Sequence, residues 1–490
     1  MSNGVIGLDL GTTSAKAVVF SLSGEVISEV EKTYPIHHPK PQWAEQNPVE
    51  VEQAALDATR EAILASGFSG GELSGIGISA AMHSWLPIDQ SGKPLRDAII
   101  WADGRSSAIA DALNESGEGM RMYRETGTPV HPMSPFVKTR WIKENEPEVF
   151  RRAAKWISLK EYITGRWFHE QVIDYSIASA TGLFDFRQFT WSHNALEACG
   201  LQKKQLNRPV PPTYRFKKMD EAVARTLGVP RDIPVIIGGS DGPLANLGMG
   251  ATSPGDMAVT IGTSGAVRQM SQTPDASAEG EVFCYAFTED LWLTGGPTNN
   301  GGIALQWLRD LFSDGDHSDH EQLGYEDLIS LAKTVPIGAE GLIFYPWLNG
   351  ERAPLWDADV RGSFTGLGMI HRKSHLARAV LEGILYNVMH IHEAVESMTE
   401  KTVNLYAGGG FSRSPFWVQM LSDMTGYPVK LPVSHQSSAW GAAWLSLYAI
   451  GEVPSLESIR DSVPMAEPVM PDLERHKKYQ EVYRIYRCRM

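Results

Sequence analysis

The pattern that most narrows what this chain can fold into occurs twice, about half a chain apart. Residues 7–20 read GLDLGTTSAKAVVF and residues 258–270 read AVTIGTSGAVRQM. Each is an apolar run, a Gly-Thr-(Thr)-Ser turn and a second apolar run, which is the signature of a β-hairpin closed by small polar residues. Continuous rather than alternating hydrophobicity marks strands covered on both faces. The repetition points to a duplicated domain, with one hairpin from each half facing a common cleft. Further strand-like runs at 25–30, 73–79 and 233–238 alternate with helical spacing such as that of 49–66, so the fold class is α/β. The domains are read as 1–247 and 248–490, the boundary falling in the Gly/Ser/Pro-rich stretch 248–255.

Composition removes several function classes. With 42% hydrophobic and 21% charged residues the chain is globular rather than disordered. The 58 acidic side chains exceed the 44 basic ones by 14, which argues against nucleic acid or an anionic membrane as a partner but leaves room for a small anionic substrate. Cys199, Cys284 and Cys488 are sparse, odd in number and form no CxxC, as expected in a reducing compartment. No apolar run approaches 18 residues and no leader pattern precedes the first strand, so the expectation is a soluble cytoplasmic protein. The polar stretch SDGDHSDHE at 313–321 reads as an exposed loop, and His390, His392 and Glu393 as helix-face residues. Tyr479, Val482, Tyr483 and Tyr486 fall at i, i+3, i+4 and i+7, which predicts a helix packed on the body.

Five motifs can carry chemistry. Asp9 precedes Gly11, Thr12, Thr13, Ser14 and Lys16; the turn exposes successive N–H and hydroxyl donors suited to phosphate oxygens, and a strand-end carboxylate suits Mg²⁺. The same residues also suit a plain turn. Gly262 and Thr263 repeat this chemistry in the second half. Gly238-Gly239-Ser240-Asp241-Gly242 follows an apolar strand. There Asp241 can accept a hydroxyl proton during phosphoryl transfer, or serve as a helix N-cap. The pentapeptide also fits GxSxG, which would make Ser240 a hydrolase nucleophile. Gly408, Gly409 and Gly410, with Arg413 beyond them, let a backbone approach a flat ligand or simply turn. Met82, His83, Trp101, Asp103, Arg105 and His131 offer a stacking face and hydrogen-bonding groups for a sugar, and Arg105 offers a fork for a carboxylate; each also suits a structural role.

Together these motifs resemble the FGGY carbohydrate kinase family, from about residue 6 to residue 449. MSPFVKTRWIKEN at 133–145 is similar to the first family signature, departing at Thr139, which is expected to be a minor packing change. GSFTGLGMIHRKSHLARAVLE at 362–382 is similar to the second throughout. The resemblance implies two ribonuclease-H-like domains of the sugar kinase, actin and Hsp70 superfold with a cleft between them, and phosphoryl transfer from ATP with Mg²⁺. It assigns Mg²⁺ to Asp9 and Asp241, the general base to Asp241, and phosphate contacts to the Gly11–Ser14 turn, Lys16, Gly262 and Thr263. Nucleotide contacts fall on Gly302, Gln306, Gly409, Gly410 and Arg413, and the acceptor on Met82, His83, Trp101, Asp103, Arg105, His131 and Asp241. Within the family, SAAMHSW (79–85), IIWADGRS (99–106), TGTPVHPMSP (126–135), DYSIASATGLFDF (174–186), GGPTNNGGI (295–303) and GERAPLWDADVRGSF (350–364) are most similar to the gluconate-phosphorylating branch. Xylulose kinases share the Met-His and Asp-Gly-Arg elements. The expected partners are therefore a small sugar acid and ATP; the sequence leaves the oligomeric state open, a homodimer being one option.

Overall fold

A computed structural model describes residues 4–313, 323–433 and 436–490. In chain order the elements that matter for the site begin with β1 (Gly4–Leu10), β2 (Ser14–Ser21), β3 (Val26–Thr33), α1 (Pro48–Ser66), β4 (Leu73–Ala80), α2 (Pro135–Asn145) and α3 (Leu159–Phe168). They continue with β5 (Val172–Asp174), α4 (Tyr175–Ser179), β6 (Val235–Ser240), α5 (Asp241–Gly248), β7 (Asp256–Ile261), β8 (Gly265–Ser271) and α6 (Gly302–Ser313). The last are α7 (Lys373–Glu396), β9 (Asn404–Gly408), β10 (Val429–Lys430), α8 (Ser437–Ala449) and α9 (Leu473–Cys488).

The chain divides into two compact units. The first comprises Met1–Ser253, Met270–Leu293 and Gln436–Val463; the second comprises Pro254–Gln269, Thr294–His435 and Pro464–Met490. Two segments beyond residue 248, Met270–Leu293 and Gln436–Val463, thus group with the first unit.

The sheet of the first unit has the order β6-β4-β1-β2-β3. β1 and β2 form the antiparallel hairpin read from the sequence, with Asp9 opposite Lys16, and β4 and β6 add in parallel. β1 is buried along nearly its whole length because both faces are covered. Ile6, Leu8 and Leu10 share a core with Val51, Ala55, Ala58 and Ala62 of α1. Val5 shares another with Ala439, Ala442 and Ala443 of α8. A Cβ on Gly7 would stand 2.0 Å from the Ala439 carbonyl oxygen, and one on Gly77 would stand 1.9 Å from that of Ala442. Glycine at these positions is what lets α8 lie directly on the sheet. Helix α8 is apolar around most of its circumference and accordingly buried.

In the second unit β7 and β8 form the repeated hairpin, β7 pairs in parallel with β9, and β9 with β10. The 24-residue α7 is buried over most of its length. The expected tyrosine helix forms as α9, burying Tyr479, Tyr483 and Tyr486. Arg378 donates to the Tyr479 hydroxyl at 2.5 Å and Tyr345 to the Tyr486 carbonyl at 2.8 Å. His390 and His392 lie buried in α7, where His392 bonds Thr402 at 2.8 Å. Burial pushes His390 down to about 3, so it is neutral at physiological pH. The 313–321 stretch read as a loop falls, beyond its first residue, outside the described residues. Among the described residues no helix is long and apolar enough to cross a membrane.

Candidate active site

The first hairpin turn is held by side chains. Gly11 N–H donates to Ser14 C=O at 2.9 Å, and Tyr34 N–H to Thr13 C=O at 3.0 Å. The Tyr34 hydroxyl reaches the Gly11 carbonyl at 2.6 Å and that of Ser14 at 3.1 Å. Gln46 donates to the Thr12 carbonyl at 2.5 Å, and the Trp101 indole N–H to Thr12 Oγ1 at 2.9 Å. Two members of the expected phosphate set are engaged with β3: Ser14 Oγ donates to Glu31 at 2.5 Å, and Lys16 pairs with Glu29 at 3.3 Å and Glu31 at 3.8 Å. Thr13 is exposed at the tip.

Asp9 and Asp241 belong to one edge of the first sheet. Asp9 stands in register with Ser79, and Ser79 with Gly239, so the ends of β1, β4 and β6 align across two strand spacings of about 4.8 Å each. In open α/β sheets the carboxyl ends of strands are where ligands bind. Ser79 Oγ donates to Asp9 Oδ1 at 2.7 Å. Burial nevertheless raises the Asp9 pKa, with the Ser79 bond and Lys16 acting against it. A carboxylate penalised by burial, with one oxygen beyond that bond, fits a divalent cation. Asp241 opens α5, partly exposed, at the first helical position, where the helix dipole favours a carboxylate. The N-cap position belongs to Ser240 rather than Asp241.

Two sequence readings are corrected here. A nucleophile elbow needs an exposed serine on a strained turn. Ser240 is fully buried, its hydroxyl has no hydrogen-bond partner among the described residues, and its backbone is extended at φ −73° and ψ 161°. The hydrolase alternative therefore loses its nucleophile. Arg105 does not offer its fork to a substrate. Its side chain is 1% exposed; Nε and Nη2 bond the two carboxylate oxygens of Asp103 at 2.8 and 2.7 Å, and Nη2 also pairs with Glu45 at 2.6 Å. The guanidinium stacks on Trp43 at 3.6 Å. Asp103 also accepts from the Ala44 N–H at 2.6 Å, so this pair ties its own loop to residues 44 and 45.

The other acceptor-side residues are spread over several loops. Met82 and Trp101 share with Thr12 and Lys160 the lining of a cavity of about 20 Å³. His83 is buried, takes a left-handed backbone (φ 67°), and its Nδ1 bonds the Ala180 carbonyl at 2.7 Å. That contact fixes Nδ1 as the protonated nitrogen. His131 Nδ1 accepts the Met133 N–H at 3.2 Å. Thr139, expected to be a packing change, accepts the Trp85 indole N–H at 2.8 Å and donates to the Pro135 carbonyl at 2.7 Å. Two fully buried lysines escaped the sequence reading, because α2 and α3 carry other charged residues and neither lysine stands out locally. Lys138 of α2 donates to the His83 carbonyl at 2.6 Å, and burial pushes it down to about 7. Lys160 of α3 pairs with Asp174 at 2.8 Å.

In the second unit six expected nucleotide-side residues line one cavity of about 450 Å³: Gly262, Thr263, Gly302, Gln306, Gly410 and Arg413. Tyr325, Phe411 and Trp417, which the sequence reading did not select, complete its wall and supply the flat surfaces a nucleobase stacks on. Gly409 borders this region with φ 93°; a Cβ there would meet the Ile261 carbonyl oxygen at 2.6 Å. The turn of the second hairpin is held by backbone donors of the following helix: Gly302 N–H donates to Gly262 C=O at 2.7 Å and Ile303 N–H to Thr263 C=O at 3.1 Å. A different cavity in the first unit, of about 770 Å³, contains none of the expected residues. Of its charged groups, Glu52 bonds Arg166 and Asp220 bonds His169, while Lys155 donates to the Leu206 carbonyl and Glu161 accepts from Asn207.

Two α/β units, each with a small-residue phosphate hairpin, and an acid at a strand end define a phosphotransferase of the sugar kinase, actin and Hsp70 fold. The FGGY family of carbohydrate kinases matches through its N-terminal domain at residues 4–248 and its C-terminal domain at residues 257–450. The chain belongs to that family, whose members transfer phosphate from ATP to an alcohol group of a sugar. It is 42% identical to a gluconokinase of Bacillus subtilis over 490 residues, 99% of this chain and 95% of the relative. The crystal structure of gluconate kinase from Lactobacillus acidophilus superposes with a TM-score of 0.93 at 33% identity, covering 99% of this chain and 96% of that one. A ligand-bound xylulose kinase from the same organism superposes with a TM-score of 0.94, also at 33% identity and with the same coverage.

Proposed function

We propose that this chain transfers the γ-phosphate of ATP to the C6 hydroxyl of D-gluconate, releasing ADP and 6-phosphogluconate. The observation that carries the chemistry is the alignment of Asp9 and the Gly239–Asp241 segment on the carboxyl edge of one sheet. Asp241 takes the proton of the acceptor hydroxyl as its oxygen attacks phosphorus, a contribution of about 10²–10⁴-fold. Phosphate oxygens meet the N–H and hydroxyl donors of the Gly11–Ser14 turn, and the nucleotide lies in the Gly302–Gln306–Arg413 cavity. Asp9 would hold Mg²⁺, with Asp241 as the second carboxylate, and that ion would offset phosphate charge. The remaining catalysis is positioning and preorganised electrostatics.

Support for gluconate comes from the full-length similarity to a gluconokinase together with the six stretches quoted above. A second reading, a xylulose kinase, keeps every phosphate and nucleotide residue and changes the sugar pocket. It is favoured by the equally good superposition on a xylulose kinase.

The test is ADP release with ATP, Mg²⁺ and D-gluconate, D-xylulose, L-ribulose, glycerol or no acceptor. The expected result is a kcat/KM for gluconate at least about a hundredfold above the others, equivalent to about 2.7 kcal/mol. A ketose preference would overturn the sugar assignment. Asp241→Asn is expected to bind ATP normally and lose at least about a hundredfold in kcat.

A further inference from the structure

We infer that Lys160, Asp174 and Ser176 form a device that positions Asp241 by gripping the peptide bond one residue upstream of it; this rests on Asp241 being the general base. The peptide linking Gly239 to Ser240 is held at both of its polar ends by side chains. Lys160 Nζ donates to the Gly239 carbonyl at 3.0 Å, and the Ser240 N–H donates to Ser176 Oγ at 2.7 Å. The two grips are joined through one carboxylate: Asp174 Oδ2 pairs with Lys160 at 2.8 Å and Oδ1 accepts from Ser176 Oγ at 2.6 Å. Asp174 Oδ1 also accepts the Ile177 N–H at 3.0 Å, capping α4, so the carboxylate is itself fixed. Lys160, Asp174, Ser176 and Ser240 are at most 2% exposed.

The location gives the device its purpose. The register of β6 against β4 shifts between Ile236 and Gly239, and Gly238 takes a left-handed φ of 66°. The strand thus bulges at Ile237 and Gly238, and the side-chain ring holds Gly239 and Ser240, where pairing with β4 resumes just before Asp241. A buried ion pair is a costly way to gain stability, since well-packed apolar residues commonly do as well. Its Lys160 end meets the Gly239–Ser240 peptide directly and its Asp174 end through Ser176, so here it serves geometry. A displacement of about 1 Å at a reacting group can cost about 10²-fold.

The experiment compares Ser176→Ala and Lys160→Met in the full-length enzyme and in an Asp241→Asn background. In the otherwise unchanged enzyme each is expected to lower kcat roughly 10- to 100-fold, with the KM for ATP and for the acceptor within about twofold. Lys160→Arg should recover part of the loss. With Asp241→Asn present the same changes should cost less than about twofold further, because residues acting as a unit are not additive. If Asp241→Asn alone retains more than about a tenth of kcat, the base assignment falls and the inference with it. If Asp241→Asn is inactive but Ser176→Ala keeps full kcat, or costs as much with and without Asp241, the positioning role alone is overturned. Ser176→Ala removes one hydroxyl and leaves the chain packed, so the test stands even where Lys160→Met fails to fold.

Discussion

The two hairpins carry the same turn chemistry but are steadied in opposite ways. The Gly11–Ser14 turn is tethered by side chains of Tyr34, Gln46 and Trp101. The Gly262–Ser264 turn is tethered by the first N–H groups of α6. A turn tied by side chains answers to the segments those side chains belong to, and Trp101 belongs to a loop proposed to meet the acceptor. A turn tied by backbone answers only to changes that move the backbone. The two copies therefore share a turn sequence while differing in what each is coupled to.

The largest expected effect tests the base on which the first hairpin's tether rests. Arg105→Gln removes the cation shared by the buried Asp103 and Glu45, and Glu45 also pairs with Arg96. Breaking such a pair costs about 3–5 kcal/mol. Thermal unfolding should show a large drop in Tm; a selective rise in gluconate KM at unchanged Tm would return Arg105 to the substrate. Next in size is Gly301→Ala. Its Cβ would lie 2.6 Å from the Ser264 carbonyl oxygen and 2.7 Å from its carbon, so the second hairpin must shift. Turnover should fall by about 10²-fold, with weaker ATP binding by calorimetry, and unchanged ATP affinity would contradict the backbone tether. Trp101→Phe deletes the donor to Thr12 at the cost of about 1 kcal/mol, so KM values for both ATP and acceptor should rise roughly fivefold together. A rise for one substrate alone would deny the coupling.

The smallest effect at neutral pH concerns Lys138, which holds the His83 carbonyl on the acceptor side. Burial lowers its folded pKa to about 7 from 10.5. Between these values the unfolded chain carries a proton that the folded one lacks, so this lysine makes stability rise with pH. Denaturant unfolding of the unmodified protein minus Lys138→Met should increase from about pH 7 toward pH 10. A flat difference would mean the ammonium stays charged in place.

Much of this was legible because it is local. Both hairpins, the strand ends bearing Asp9 and Asp241, and the tyrosine face of α9 are set by residues within a few positions of one another. The nucleotide cavity was legible through its glycines but not through Tyr325, Phe411 and Trp417, whose apolar character marks core equally well. What escaped depends on distant partners. Nothing near Arg105 announces that Glu45 will consume it, and nothing near Lys160 announces Gly239, 79 residues away. Ser240 satisfies GxSxG as a string; burial of its hydroxyl is a tertiary fact. The return of Gln436–Val463 to the first unit has the same origin, since the helix that covers β1 carries no local sign of its destination.

That return has a consequence for how the protein is made. The first sheet gains its last strand at Ser240, yet α8, which lies against Gly7 and Gly77, begins at Ser437. Synthesis at about 5–20 residues per second leaves one apolar face of the sheet bare for on the order of ten to forty seconds. The nascent chain thus carries a half-clad, sticky sheet for about two fifths of its time on the ribosome.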